Sequence, residues 1–160
     1  VYILACKVRR DGSSVSSLSR PFADYARHLA IFSYLVHILR DLKADAERAP
    51  QHLTLPDDLL AESGLTKASL QEAAKAGDDA ALGPLVGTIA ALTERHYSLT
   101  MRDLALLNDE TDGDAAMLVG LAEVYSQQFE TIRGDFRSVL EGGGVVDMAT
   151  VDRLLAAGKA

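Results

Sequence analysis

The sequence predicts an all-α protein. Apolar residues recur three and four positions apart over long stretches, as in Leu82, Leu85, Val86, Ile89, Leu92, Tyr97, Met101 and Leu104, which is the spacing of one helix face. Helix punctuation recurs with them: Pro56 opens a short apolar segment and Gly64 closes it, and Gly77 closes another, the usual asymmetry of proline at helix starts and glycine past their ends. No alternating run of useful strand length occurs, nor an internal repeat or low-complexity tract.

Taken in order, Val1–Arg10 reads as a short apolar helix ending in Arg9 and Arg10, where the helix macrodipole favours cations. Asp11–Ser19 is a Ser/Gly-rich connection. Pro21 starts a central helix expected to run to about Ala46. Its stretch from Leu29 to Leu39 is interrupted only by Ser33, Tyr34 and His37, so it is expected inside a bundle rather than on its surface. Ala49-Pro50 ends it, because a residue before proline avoids the α region.

Two short helices follow, Pro56 to Gly64 and Thr66 to Gly77, and then a long one from Asp79 to about Leu107. Asn108–Asp114 is acidic, but a calcium loop needs an acidic first position and Glu at the twelfth, where this chain has Asn108 and Val119. It reads as a turn with Asp114 capping the next helix. That helix is expected over Ala115 to about Leu140, with Leu118, Leu121, Ala122, Tyr125, Phe129 and Ile132 inward and Glu141-Gly-Gly-Gly144 as its stop. Thr150–Ala157 is expected to form a last short helix.

A chain of 160 residues fits one domain with a substantial core. The net charge of −7 and scattered Lys and Arg argue against a nucleic-acid partner. A single cysteine, Cys6, excludes an intramolecular disulfide framework. No apolar run reaches the roughly 18 residues needed to span a bilayer, and the expected compartment is cytoplasmic. Neither a nucleophile–base set nor a glycine-rich phosphate loop is visible. The four histidines do not make a zinc spacing.

The chemistry concentrates in Tyr34-Leu-Val-His-Ile-Leu-Arg-Asp-Leu-Lys-Ala-Asp45. Residues four apart share a helix face, so His37, Asp41 and Asp45 form three successive rungs, with Tyr34 one turn before them and Arg40 and Arg48 as flanking cations. Like charges one turn apart repel by a few tenths of a kcal/mol, so the helix gains nothing from the carboxylates. A hard divalent cation would use them, since Mg²⁺ commonly binds one or two carboxylates plus substrate phosphates.

From Ala26 to Gly64 the chain resembles the second aspartate-rich region of the squalene/phytoene synthase family, in Leu39-Arg40-Asp41, Asp45-Ala46, Arg48, Leu55-Pro56, Asp58-Leu59-Leu60 and Gly64. Weaker similarity continues at Arg95, His96, Tyr97 and Tyr125. The chain departs from the pattern where the family's Gln and Asn fall at Tyr34 and His37. Around Arg48-Ala-Pro-Gln-His-Leu-Thr54 the family's Arg-Gly-Arg and Tyr are not reproduced.

The resemblance implies a helical bundle forming part of the isoprenoid synthase fold. It also implies a Mg²⁺-dependent transferase that joins prenyl diphosphates head to head in isoprenoid biosynthesis. Asp41 and Asp45 would then be the catalytic, metal-binding carboxylates, and Arg40, Arg48, Tyr34 and His37 the diphosphate-binding side chains, with Lys43 a further cation. Phe32, Tyr34, Tyr97 and Tyr125 would line an apolar pocket able to stabilise a carbocation. Peripheral contact with a membrane is expected for an apolar product.

The opening Val-Tyr-Ile-Leu-Ala-Cys has neither Met nor helix cap, and Asp41/Asp45 is the only Asp-x3-Asp pair. The expectation is therefore that the N-terminal half of a family-sized protein is missing, and that this fragment alone is inactive. Two other readings stand beside the enzyme. One is a family-fold protein that has lost catalysis and serves as a binding or assembly factor. The other is an unrelated helical bundle with a metal at His37, Asp41 and Asp45.

Overall fold

The computed structural model describes residues 7–8, 14–15, 18–48, 53–111 and 115–141. Six helices make up nearly all of this: α1 (Phe22–Arg48), α2 (Asp57–Glu62), α3 (Lys67–Ala76), α4 (Asp79–Glu110), α5 (Ala116–Gly134) and α6 (Phe136–Leu140). The protein is all-α, as expected. No described helix is long and apolar enough to cross a membrane.

Helix α1 starts where proline permits. The Asp24 amide bonds the Pro21 carbonyl (2.9 Å), and proline's fixed φ suits a helix start. Tyr25, Leu29, Phe32, Val36, Leu39, Leu42 and Ala46 are buried, spaced three and four apart as one face of a 3.6-residue helix requires. The expectation of a helix buried on most sides is corrected here: Ala30, Tyr34 and Ala44 are exposed. Burial follows the one regular stripe, although the stretch is apolar almost throughout.

Helices α2 and α3 both end in a Schellman arrangement. After α2, the Leu65 amide reaches the Leu60 carbonyl (2.8 Å) and the Gly64 amide that of Ala61 (3.0 Å); after α3, Asp78 reaches Ala73 (2.9 Å) and Gly77 reaches Ala74 (3.3 Å). The reversal needs a positive φ, 72° at Gly64 and 68° at Gly77, which glycine adopts without a Cβ clash. Thr66 and Ser69 form a reciprocal capping box at the start of α3.

Three expectations fail for physical reasons. A helix over Val1–Arg10 does not hold at its described part: Lys7–Val8 pairs antiparallel with Ser14–Val15 as a two-residue ladder. Leu92 is exposed, and Thr93 takes the buried position. The Thr93 hydroxyl donates to the Ile89 carbonyl (2.7 Å), so its one polar group is satisfied inside the helix. Finally, the single helix expected from Ala115 breaks at Asp135, whose side chain accepts from the Ser138 amide (3.0 Å) and caps α6. Cys6, Asp114 and Thr150–Ala157 lie outside the described residues.

The chain divides into two compact units, residues 1–33, 94–127 and 146–160 in the first, 34–93 and 128–145 in the second. In the first, α1 and α4 run antiparallel: Ser19 and Tyr25 bond Glu110, Arg20 bonds Asp103, and His28 meets His96. Phe32 is fully buried against the rings of Tyr97 (5.2 Å) and Tyr125 (6.4 Å). In the second unit the core is built from α1 residues Val36, Leu39, Leu42 and Ala46 together with Leu53, Leu55 and apolar positions of α2 to α6.

Candidate functional site

The site belongs to the second unit and begins with the rungs of α1. Tyr34, His37, Asp41 and Asp45 line one cavity of about 90 Å³, with Ile38 and Leu42 between them and residues 53–55 opposite. Leu53 and Leu55 are buried on either side of exposed Thr54, which pins this segment to α1: Thr54 Oγ1 and Tyr34 Oη lie 2.8 Å apart.

Arg40 organises the polar wall. It donates from Nε to Asp41 Oδ1 (2.7 Å) and from Nη2 to Asp41 Oδ2 (2.6 Å), a bidentate charge-assisted pair. Nη2 also donates to His37 Nδ1 (2.5 Å), and Nη1 donates to Gln128 Oε1 on α5 (3.3 Å). The Arg40 hydrogen bonds are the main cause that holds the Asp41 carboxyl below the usual range, against partial burial, with His37 adding to the effect. Asp41 is therefore an anion at neutral pH.

Asp45 sits one turn on, with Arg48 Nη1 3.8 Å from its Oδ1. Arg48 is 72% exposed, so this pair is weak and solvent-screened. The structure thus brings together Tyr34, His37, Arg40, Asp41 and Asp45 as the helical spacing required, with Arg48 at their outer edge. Sequence reasoning missed Gln128, because nothing local links residues 88 apart in sequence.

Among the described residues no group of three or more His, Cys, Asp and Glu side chains is disposed to hold a metal ion. The donor set does suit a cation bound in part by others: an ionised carboxylate at Asp41 and the side chain of Asp45 one turn away, both lining the same cavity. Mg²⁺ is commonly held in this way, by one or two carboxylates with waters and phosphate oxygens completing its octahedron.

Two other polar clusters lie in the first unit. Glu110 accepts from the Ser19 amide (2.9 Å), the Ser19 hydroxyl (2.6 Å) and the Tyr25 hydroxyl (2.7 Å). The Ser19 bonds come first among the causes that lower its pKa. Asp103, 2% exposed, accepts from Arg20 (3.3 Å) and Arg102 (3.4 Å), and lies 4.0 Å from His28 Nε2. His28 and His96 approach Nδ1 to Nδ1 at 3.0 Å. These contacts tie the start of α1 to the end of α4.

Neither curated proteins nor solved structures give a match to the chain. The family model of squalene/phytoene synthase matches residues 10–143, a span that includes all the α1 site residues and the helices α2 to α6. The helical architecture agrees with the all-α isoprenoid synthase fold of that family, and the chain belongs to the squalene/phytoene synthase family.

Proposed function

We propose that this chain carries the second aspartate cluster of a prenyl transferase that condenses two prenyl diphosphates head to head. One observation carries the reading: Asp41 and Asp45 line one cavity, with Arg40 hydrogen-bonded to Asp41 beside it. In the proposed reaction the allylic C–O bond breaks heterolytically and the diphosphate leaves with the electron pair. Arg40 and Arg48 neutralise the charge that develops on its oxygens. Asp41 and Asp45 would hold Mg²⁺, which when bound supplies further charge neutralisation at the leaving group. Tyr34 and His37 border the same oxygens.

The reading calls for another aspartate pair besides Asp41 and Asp45, and the present sequence has no second Asp-x3-Asp. It would come from a preceding part of the same protein. A cytoplasmic site of action with peripheral contact to a membrane would suit an apolar product.

Calorimetric titration with pyrophosphate and Mg²⁺ tests the cluster. The wild-type chain should bind pyrophosphate tightly only with Mg²⁺ present, and Asp41→Ala/Asp45→Ala should abolish that binding. Equal binding by both proteins would sink the proposal. A second reading, a family member that binds or assembles without catalysis, draws on the fact that Arg40 already satisfies both Asp41 oxygens. It predicts no Mg²⁺-dependent component at all.

A further inference from the structure

Arg40 is held from two helices at once. Its Nε and Nη2 donate to the two Asp41 oxygens on α1 (2.7 and 2.6 Å), while Nη1 donates to Gln128 Oε1 on α5 (3.3 Å). The side chain is 24% exposed, so part of it stays within reach of a ligand.

The two attachments differ in kind. Asp41 is the next residue of α1, so its grip travels with that helix, and its charge offsets the guanidinium. Gln128 lies 88 residues away, on a helix whose rotation is fixed by its neighbours Phe129 and Ile132, each 3% exposed. An amide oxygen carries no net charge, so it directs the guanidinium without cancelling what that group offers an anion. Its bond is the longer one, as expected while a carboxylate pulls the same group the other way. The guanidinium is a rigid planar fork, so anchoring through Nη1 leaves it free to turn about that end.

We infer that Gln128 is a positioning residue for the diphosphate: it keeps Arg40 at the cavity wall while Nε and Nη2 exchange Asp41 for phosphate oxygens. The inference rests on the diphosphate-site reading above and deepens it by naming the side chain that steers its arginine. In the exchange Asp41 gives up two charge-assisted bonds, the phosphate oxygens accept from the same two nitrogens, and Nη1 stays on Gln128. A glutamate at this position would have nearly the same shape. It would set a second carboxylate on Arg40 and leave little positive charge for the ligand.

That contrast supplies the test. Pyrophosphate with Mg²⁺ is titrated calorimetrically into the 160-residue chain, Gln128→Leu and Gln128→Glu, and urea denaturation of each protein is followed in parallel. Gln128→Leu removes the acceptor and should weaken binding about tenfold, the worth of a hydrogen bond to a charged group. Gln128→Glu keeps shape and acceptor, so it should lose less stability than Gln128→Leu and yet bind pyrophosphate more weakly. A residue that merely packs would rank the two variants alike in both measurements. The titration is repeated in Arg40→Lys, whose single ammonium replaces the fork. There Gln128→Leu should cost less than about twofold in affinity, because the two positions are no longer coupled.

Wild-type affinity in Gln128→Leu, or a tenfold loss that persists undiminished in Arg40→Lys, overturns the role of Gln128 and leaves the diphosphate site standing. If the wild-type chain binds no pyrophosphate with Mg²⁺, the diphosphate reading fails and the positioning role falls with it.

Discussion

At the scale of single residues, the contact between His28 and His96 sets a proton limit. Two Nδ1 atoms 3.0 Å apart can share one hydrogen between them, and two would face each other. Burial is the first cause that lowers the His96 pKa, followed by the charges of His28 and Arg95. A group depressed on folding contributes its full stability above its unfolded pKa and gives it up as pH falls through the folded value. Urea midpoints should therefore fall as pH drops below about 6.5. His96→Gln, which takes up no proton, should flatten that fall, and an unchanged slope would remove His96 from the account. Asp103 gives a second prediction. It is buried, and Arg20 and Arg102 both donate to it. Removing one member of a buried ion pair leaves the other uncompensated, and both arginines here are partly solvated, so Asp103→Ala should cost about 2 kcal/mol in chemical denaturation. Neither contact was legible in the sequence, where His28 belongs to α1 and His96 and Asp103 to α4.

Elements were easier to read than contacts, because their signals are local. Pro21 and Ala49-Pro50 bracket α1 closely, and Gly64 and Gly77 mark the ends of α2 and α3. Both glycines adopt a backbone conformation that a Cβ penalises, and nothing lies within 4 Å of a Cβ built at either position. Gly77→Ala and Gly64→Ala should thus each destabilise by about 1 kcal/mol through backbone strain alone. Gly64 is part of the family pattern, and its helix-ending geometry is a sufficient structural reason for it. Gln71 on α3 donates to the Ala46 carbonyl (2.8 Å), which lies in the last turn of α1, where carbonyls lack helical partners. Gln71→Leu should cost about 1 kcal/mol, read from a shift in the thermal midpoint. The break at Asp135 and the exchange of Leu92 for Thr93 were not legible. In both cases a side chain bonding to nearby backbone overrode the apolar spacing.

On the scale of the whole molecule, helices α1, α4 and α5 each supply residues to both units. A continuous helix propagates order along its hydrogen bonds, so calorimetry should record one unfolding transition. Mg²⁺ with pyrophosphate at about a hundred times its dissociation constant should stabilise the chain by about 2.7 kcal/mol. For a chain of this length that means an upward shift of roughly 5–10 °C. The rungs Tyr34, His37, Asp41 and Asp45 were legible because one helical period fixes them. The orientation of Arg40 was not, since a long side chain chooses among neighbours on its own helix and on others, here Asp41, His37 and Gln128. That orientation also has a consequence in time. A ligand that requires the Asp41 carboxylate meets a competitor tethered to the adjacent residue, and it reacts with the fraction of molecules in which the tether has swung away. In stopped-flow mixing the observed rate should rise with ligand concentration and then level off at the frequency with which Arg40 lets go. Arg40→Ala should abolish the plateau and leave a rate that climbs without limit over the same range.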